Sequence, residues 1–303
     1  MNLTKLFCDI DDFCKTFEVS YNQGQITDGK LRRNRRGQLE LSEVLTILVF
    51  FHQSQGYRNF KGYYSCYVLK YLKKEFPRAV SYSRFVELIP RSFLALSAYL
   101  NTRKGTATGI AFVDSTKLVV CDNHRIHSHK VFDGLAKRGK SSMGWFFGLK
   151  LHLVVNDQGE FLGIKVTPGN TDDREPVPEM VKGLKGSLFG DKGYISQRLF
   201  DELILQGLRL VYRVKKNMKK RTTTALDRLL LRKRAIIETI NDLLKNGCHI
   251  EHTRHRSPLN AMVHLLAGLV AYSWLEKKPK IIIHPEDLAA FHNIKPNQKA
   301  LES

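Results

Sequence analysis

The spacing of apolar residues changes near residue 105, and this change constrains the fold more than any other feature of the chain. Before it, apolar residues recur at helical spacing, as they do over 44–51. After it, apolar runs of strand length alternate with helical segments. We therefore predict an all-α N-terminal domain at 1–105, a mixed α/β sheet with flanking helices at 106–275, and a C-terminal tail at 276–303.

Three helices are predicted in the N-terminal domain. The first is capped by Ser42, the second spans Arg58–Phe76, and the third begins near Ser81 and kinks or ends at Pro90. The second and third helices together have the pattern of a helix-turn-helix motif, whose second helix opens with residues that contact bases. Arg84 is then a candidate DNA contact, and an ordinary corner of a helix bundle is the alternative.

The second domain is predicted to contain six strands and three helices. The strands are Ile110–Val113, Lys117–Cys121, Gly144–Val155, Phe161–Thr167, Ser187–Gly190 and Leu208–Val214, and the helices are Pro176–Leu184, Gln197–Gln206 and a long final helix at 225–246. Gly159 suits the positive φ of a turn between the third and fourth strands. Trp145 and Trp274 are predicted in the core, where large aromatic residues usually pack.

Charge is the first indication of a partner. The chain has 49 Lys and Arg against 29 Asp and Glu, which gives a net charge of +20. Positive side chains in such excess repel one another in the compact state, and binding of a polyanion relieves this repulsion. Nucleic acid is the polyanion that best fits, because binding releases the counterions condensed on its phosphates. A ribosome-associated protein, or a protein that is merely basic, is the alternative.

The sequence also predicts a cytoplasmic protein that does not contact a membrane. Its five cysteines are odd in number and none forms a C-x-x-C pair, which indicates a reducing compartment. The first residues carry acids where a secretion leader has a basic and then an apolar region. The longest apolar stretch, Ala261–Leu275, is shorter than the roughly 18 residues that a membrane span needs.

Two aspartates occupy equivalent places in the predicted sheet. Asp114 follows the apolar run 110–113, and Asp191 follows the run 187–190. Ligands of open α/β sheets bind at the carboxyl ends of strands. Two carboxylates that converge there repel each other unless a cation neutralises them, and oxygen ligands select Mg²⁺ or Mn²⁺. The alternative is that each aspartate only caps the turn that follows it.

The final predicted helix adds a third acid. Arg234, Glu238, Asn241 and Lys245 are separated by four, three and four residues, so they share one helical face. Alone, this polar stripe has the pattern of a solvent-exposed face with weak ion pairs. Together with the two strand-end aspartates, it predicts a third metal ligand between two DNA-binding cations.

These three segments resemble the DDE motif of bacterial insertion-sequence transposases, which have an RNase H-like catalytic core. Asp114, Asp191 and Glu238 match its three acids at separations of 77 and 47 residues. Arg234 and Lys245 match an Arg-x₃-Glu-x₆-Lys signature. The tyrosine that usually precedes that arginine by three residues is Leu231 here.

The flanking segments are most similar to the insertion-sequence family numbered nine hundred and eighty-two. The matching segments are Cys121–Ile126, Gly144–His152 and His252–Ser257, and the segment Thr167–Asp173 is similar to a Gly-Asn turn that precedes the second aspartate in many such transposases. The resemblance implies two Mg²⁺ or Mn²⁺ ions between the three acids, which activate water and then a DNA 3′-hydroxyl and stabilise the departing oxygen. It also implies double-stranded DNA partners, namely element ends and target DNA, and a homodimer or higher assembly that brings two ends together.

Basic side chains near this motif are the predicted DNA contacts. They are Arg84, Arg125, Lys192, Lys215, Lys216, Lys219, Lys220, Arg234, Lys245, Arg254 and Arg256. A further basic run, Lys30–Arg36, is a solvated loop or a phosphate-contacting arm. For the histidines at 124–129, contact with the DNA backbone or plain solvation is favoured over a metal site. The set at 248–255 lacks the spacing of zinc ligands, so contact of Arg254, His255 and Arg256 with phosphate is favoured there.

Two other functions remain open at the level of sequence. The first is an RNase H-like nuclease that cuts DNA and never joins it. The second is a non-catalytic, domesticated DNA-binding protein. The presence of all three acids disfavours the second, and only an assay of strand transfer separates the first from a transposase.

Overall fold

A computed structural model describes residues 2–27, 37–53, 56–141, 144–213, 223–251 and 255–283 of the chain. The described residues pack as two compact units. The helical unit contains those up to Lys104 together with His127–Gly134 and Asp242–Lys277. The sheet unit contains Gly105–Ile126, Leu135–Asn241 and the described residues after Lys277. The division into domains at 105 and 275 stays a prediction.

The helical unit is built from six helices. They are α1 (Leu3–Thr27), α2 (Leu41–Phe51), α3 (Phe60–Gly62, continued by a π-helical turn at Tyr63–Val68), α4 (Tyr82–Leu88), α5 (Ser92–Thr102) and α10 (Pro258–Ser273). The apolar α10 packs against α2 and α5. None of the described helices is both long enough and apolar enough to span a membrane.

The N-terminal helices differ from their predictions in where they begin and end. Ser42 does not cap α2: it is buried inside that helix, and the backbone N–H of Glu40 donates to the Glu43 carboxylate at 2.7 Å. The helix predicted to reach Phe76 ends at Val68, because the chain then folds back far enough for the Tyr64 hydroxyl to donate to the carbonyl of Val80 at 2.7 Å.

The predicted helix-turn-helix does not form with a short turn. Between Val68 and Tyr82 lie 13 residues (82 − 68 − 1), whereas such motifs use three or four. The start of the next helix is confirmed, since Ser81 caps α4 by accepting from the N–H of Arg84. Pro90 lies in a 3₁₀ turn between α4 and α5, as the predicted kink requires.

Among the described residues, the sheet unit contains a six-stranded mixed sheet, which confirms the predicted α/β fold class with its mixed sheet and flanking helices. The strands are β1 (Ile110–Cys121), β2 (Lys137–Ser141), β3 (Gly144–Asn156), β4 (Phe161–Pro168), β5 (Gly186–Phe189) and β6 (Leu208–Val211). β1, β3 and β4 pair antiparallel, and β1, β5 and β6 pair parallel. β2 pairs with the first part of β3, beyond the part that pairs with β4.

Helices flank this sheet. They are α6 (Val177–Met180), α7 (Gln197–Leu205), α8 (Ala225–Lys233) and α9 (Ala235–Asp242). One apolar core contains Val113, Val154 and Leu188 from the strands and Leu203 from α7. Phe112 alternates with Val113, so it points to the other face, where its ring stacks on Phe189 at 5.4 Å.

Several predictions for the sheet unit are wrong in detail. The first two predicted strands are one strand, β1, which continues through the polar residues at 114–116 because it pairs with β3 along that stretch. β2 has no counterpart in the prediction, and α6 is shorter than predicted. The long helix is interrupted at Arg234 and ends in a π-helical turn at Leu243–Gly247. Trp145 is 53% exposed and lies outside the core.

Candidate active site

The register of the parallel strands places Asp114 and Asp191 side by side. Phe112 in β1 pairs with Phe189 in β5, and each aspartate follows its phenylalanine by two residues (112 + 2 and 189 + 2). The sequence predicted this convergence at the carboxyl end of two strands. The structure differs in one respect, because Asp114 lies inside the longer strand β1, opposite Leu153 of β3.

Asp114 is the most perturbed acid of the site. The pKa of its carboxyl group is raised to about 6, chiefly by burial and to a smaller extent by the nearby carboxylates of Asp191 and Glu238. The Arg234 guanidinium and the backbone N–H of Ser115 oppose this rise. The two aspartates and Glu238 therefore interact electrostatically, with one arginine as their counter-ion.

Asp191 is exposed at the start of a 3₁₀ turn, Lys192–Tyr194. Its carboxylate accepts a hydrogen bond from the N–H of Gly193 at 2.7 Å, so it caps this turn. The capping role that the sequence left open is therefore present in Asp191. It occupies one carboxylate oxygen, since the bond is made by Oδ1 alone.

The interruption between α8 and α9 falls on Arg234. This residue ends α8, and its guanidinium donates to the Glu238 carboxylate at 2.5 Å, one helical turn further on. The Arg234 side chain is 21% exposed and that of Glu238 is 57% exposed. The Arg234 guanidinium is therefore the more buried partner of this ion pair, and its charge also lowers the pKa of Asp114.

Asn241 belongs to the site more directly than the sequence indicated. It is buried in the last turn of α9, and its Nδ2 donates to Oδ2 of Asp114 at 3.0 Å. Its Oδ1 is buried and has no hydrogen-bond partner among the described residues. The signal in the sequence was its place three residues after Glu238, which gave the face of the helix and not the contact.

A second group of polar residues lies beside the acids and was not predicted. Lys150 of β3 donates through Nζ to the carboxylate of Asp173 at 2.9 Å and to the carbonyl of Thr171 at 2.8 Å. Tyr194 is buried, and burial is the largest cause that raises the pKa of its hydroxyl group. The nearby carboxylates of Asp114, Asp173 and Asp191 raise that pKa as well. The Thr167–Asp173 segment of the resemblance therefore adds a fourth carboxylate to this region.

Within the described part of the chain, no three acids, histidines or cysteines are grouped closely enough to hold a metal ion. Asp114 and Asp191 each follow the last paired residues of β1 and β5 by two residues and interact electrostatically, and Glu238 is held by Arg234. The site therefore has three coupled carboxylates of which the third is engaged in an ion pair.

The predicted DNA contacts occupy several different places. Lys192 is exposed next to Asp191, and Arg125 is exposed in the 3₁₀ turn Asn123–Ser128. Arg84 is exposed and pairs with Glu87 at 2.5 Å. Lys245 lies in the helical unit, where it pairs with Glu251 at 3.2 Å.

The remaining basic candidates are less fully described. Arg256 is exposed. Those outside the described residues are Lys215, Lys216, Lys219, Lys220 and Arg254, as well as the basic run Lys30–Arg36.

A family model described as "Transposase DDE domain" matches residues 104–258. This match covers 155 residues (258 − 104 + 1), which is more than half of the chain. The chain belongs to this family of transposases. No curated protein matches it.

Solved structures similar to this chain include three complexes. A piggyBac transposase synaptic complex with hairpin DNA has 10% identity and a TM-score of 0.46, over 88% of this chain and 74% of that one. The Mos1 mariner paired-end complex with Mn has 12% identity and a TM-score of 0.24, over 87% and 88%. The Mos1 strand transfer complex has 10% identity and a TM-score of 0.22, over 78% and 83%.

Proposed function

We propose that this protein is the DNA transposase of a bacterial insertion sequence, of the family numbered nine hundred and eighty-two, and that it cleaves element ends and joins them to target DNA. The observation that carries the proposal is the equivalent placement of Asp114 and Asp191 on neighbouring strands, with Arg234 and Glu238 beside Asp114. The net charge of +20 supports a polyanionic substrate. Membership of the DDE family supports the reaction class.

The acids of the site have the donor chemistry that a hard divalent cation requires, although the described acids are not grouped closely enough to hold one while Glu238 is paired with Arg234. Asp114, Asp191 and Glu238 would hold it through carboxylate oxygens, the ligands that Mg²⁺ and Mn²⁺ favour. Two features support the fit: burial leaves Asp114 with an unfavourable charge, and the buried Oδ1 of Asn241 has no hydrogen-bond partner among the described residues. When bound, two such ions would supply an activated water and stabilisation of the departing 3′-oxygen.

The side chains around the carboxylates would orient them and balance their charge. The amide of Asn241 holds one oxygen of Asp114, which leaves the other oxygen to act as a ligand. Arg234 holds Glu238, so its guanidinium must share or release that carboxylate when a cation takes its place. Once released, Arg234 can bind a DNA phosphate close to the reacting bond, because a guanidinium binds carboxylate and phosphate alike.

Basic residues of both units would contact the phosphates of the DNA. Lys192 directly follows Asp191 and is exposed, which suits contact with the phosphate backbone. Arg125 and Arg256 are exposed, and we assign them phosphate contacts as well. Lys245 and Arg84 would each add a phosphate contact. In this structure Lys245 is paired with Glu251 and Arg84 with Glu87. The lysines of 215–220 and Arg254 are proposed on sequence alone.

The first experiment is cleavage of a labelled duplex that carries the end of the DNA element flanking the coding sequence. Native protein is compared with Asp114→Asn, Asp191→Asn and Glu238→Gln, in Mg²⁺, in Mn²⁺ and in EDTA. Asp201→Asn is the matched control, because Asp201 is an exposed acid of α7 that bonds only to Gln197 in the described hydrogen-bond network. We expect cleavage by native protein and by the control only with metal, and loss of at least about a thousandfold in the three site variants.

Each of the other outcomes indicates a different function for this protein. Cleavage that survives in EDTA, or in Glu238→Gln, contradicts the catalytic assignment. Cleavage without any joined product, after a target plasmid is added, indicates a nuclease without strand transfer. Binding to the element end without cleavage in either metal indicates a non-catalytic DNA-binding protein. Sedimentation with the element end tests the expected homodimer or higher assembly.

A further inference from the structure

The ribbon formed by β2 and the first part of β3 exposes a tryptophan. Within this ribbon, Lys137–Ser141 pairs antiparallel with Gly144–Gly148. Trp145 lies on it with 53% of its surface exposed. Large aromatic side chains are usually withdrawn from water, so an indole that remains exposed on a regular strand indicates a binding surface.

Two cations lie over the exposed ring in cation–π contacts. Lys140 pairs directly with Trp145 across the ribbon, and its Nζ lies 5.8 Å from the ring centroid. The guanidinium carbon of Arg138, on the same face, lies 5.1 Å from that centroid. Both cations are exposed, and β2 contains no acidic residue. The surface therefore combines an aromatic face with positive charge.

The ribbon is held in place from its other face. A Cβ on Gly139 would lie 2.1 Å from the carbonyl oxygen of Gly169, so the two backbones are in contact. Phe146, which pairs with Gly139, is buried. Asn123 donates through Nδ2 to the carbonyl of Trp145 at 2.9 Å. The exposure of Trp145 therefore belongs to an ordered strand whose buried face is already packed.

We propose that Trp145, Arg138 and Lys140 form a binding site for an unpaired base of the DNA substrate, in which the two cations move from the indole ring to the phosphates and the base stacks on the indole in their place. The proposal rests on the proposed function, which supplies the substrate. A base inside a duplex has both faces covered by its neighbours, so only an unpaired or terminal base offers a face to the indole. The cations favour a phosphate-bearing partner over an apolar protein surface.

The test is binding in EDTA, where no cleavage occurs. Two labelled probes share one duplex, and one of them carries a three-nucleotide single-stranded extension. Trp145→Ala should weaken binding of the extended probe by about tenfold or more and leave the blunt duplex within about twofold. Trp145→Phe should retain most of the affinity, and Leu205→Ala, which truncates an exposed apolar residue of α7, should bind like the native protein.

Two further readouts separate the parts of the site. The chain has two tryptophans, so fluorescence quenching by the extended probe that is lost in Trp145→Phe belongs to Trp145. Arg138→Gln and Lys140→Gln should weaken both probes and reduce the salt dependence of binding.

An equal loss for both probes with Trp145→Ala, or no loss for either, overturns the stacking proposal. Unchanged DNA binding together with loss of a dimer in sedimentation would assign the surface to subunit contact instead. Failure of metal-dependent cleavage alone contradicts the proposed function and leaves this binding result standing, so the two failures are distinguishable.

Discussion

A buried carboxylate with two other carboxylates nearby costs the folded state free energy whenever it is ionised. Asp114 is in this position, and burial together with Asp191 and Glu238 raises its pKa from 3.8 to about 6. Because the folded pKa exceeds the unfolded one, the cost is absent below pH 4, grows up to pH 6 and is complete at pH 7. When a site binds a cation, this destabilisation of the folded protein is present only while the cation is absent.

We predict that Asp114→Asn stabilises the metal-free protein at pH 7. A shift of this size corresponds to about 3 kcal/mol at most, since one pKa unit is worth about 1.4 kcal/mol. Asparagine keeps the shape and can still accept from the amide of Asn241. Urea unfolding in EDTA at pH 7 measures the gain, which should vanish at pH 4. Asp201→Asn is the control, and a loss of stability in Asp114→Asn at pH 7 would contradict the electrostatic account.

At this scale the sequence predicts where residues lie along the strands and helices better than what they contact. Asp114 and Asp191 were found because each follows an apolar run, a signal that does not depend on the rest of the fold. The hydrogen bond between Asn241 and Asp114 was not found, because it depends on how α9 lies against β1. The exposure of Trp145 was missed for a similar reason, since composition cannot tell which face of a strand is packed.

At the scale of elements, interruptions in the apolar pattern misled the prediction. The polar stretch 114–116 divided β1 into two predicted strands, although pairing with β3 continues through it. The interruption of the last helix at Arg234 carries no glycine or proline, so nothing in its local sequence marks it. The long antiparallel strands β3 and β4 were predicted well, because β-branched and aromatic residues fill them and Gly159 turns between them at φ +72°.

Gly148 gives an element-scale prediction. It lies in β3 against β1, and a Cβ there would meet the carbonyl oxygen of Leu118 at 2.0 Å. A backbone atom cannot withdraw as a flexible side chain can, so Gly148→Ala must disturb the pairing of β3 with β1, the strand that carries Asp114. We expect a loss of at least about 2 kcal/mol in urea unfolding.

The control for this prediction is Gly247→Ala. Its added Cβ would lie 3.8 Å from Cδ2 of Leu243, an ordinary contact, so unfolding should change little. If Gly148→Ala unfolds like the native protein, the close approach of β1 and β3 at this point is wrong. The tight contact also explains, in physical terms, why glycine stands in the middle of the Gly144–His152 segment that the sequence singled out.

The whole molecule combines two units whose buried histidines respond to acid. In the helical unit, the ring of His264 lies 5.7 Å from that of His52 and 5.2 Å from that of His255. Burial lowers the pKa of His52 and of His255 from 6.5 to about 4, and it lowers the pKa of His264 well below 6.5. In the sheet unit, burial lowers the pKa of His152 to about 4, and the raised pKa of Asp114 acts in the opposite direction.

We predict that the helical unit loses stability first as the pH falls. Its histidines are neutral in the folded protein. Their contribution to the free energy of unfolding is therefore complete above pH 6.5 and is lost as the pH falls toward 4. Between pH 7.5 and pH 5, His52 and His255 together should cost about 4 kcal/mol, whereas His152 and Asp114 nearly offset each other. Hydrogen exchange resolved by peptide should show α2 and α10 opening at pH 5 while β1 and β3 stay protected. His264→Leu should weaken this pH dependence and the exposed His124→Gln should not, and equal opening of both units would contradict the assignment to the buried histidines.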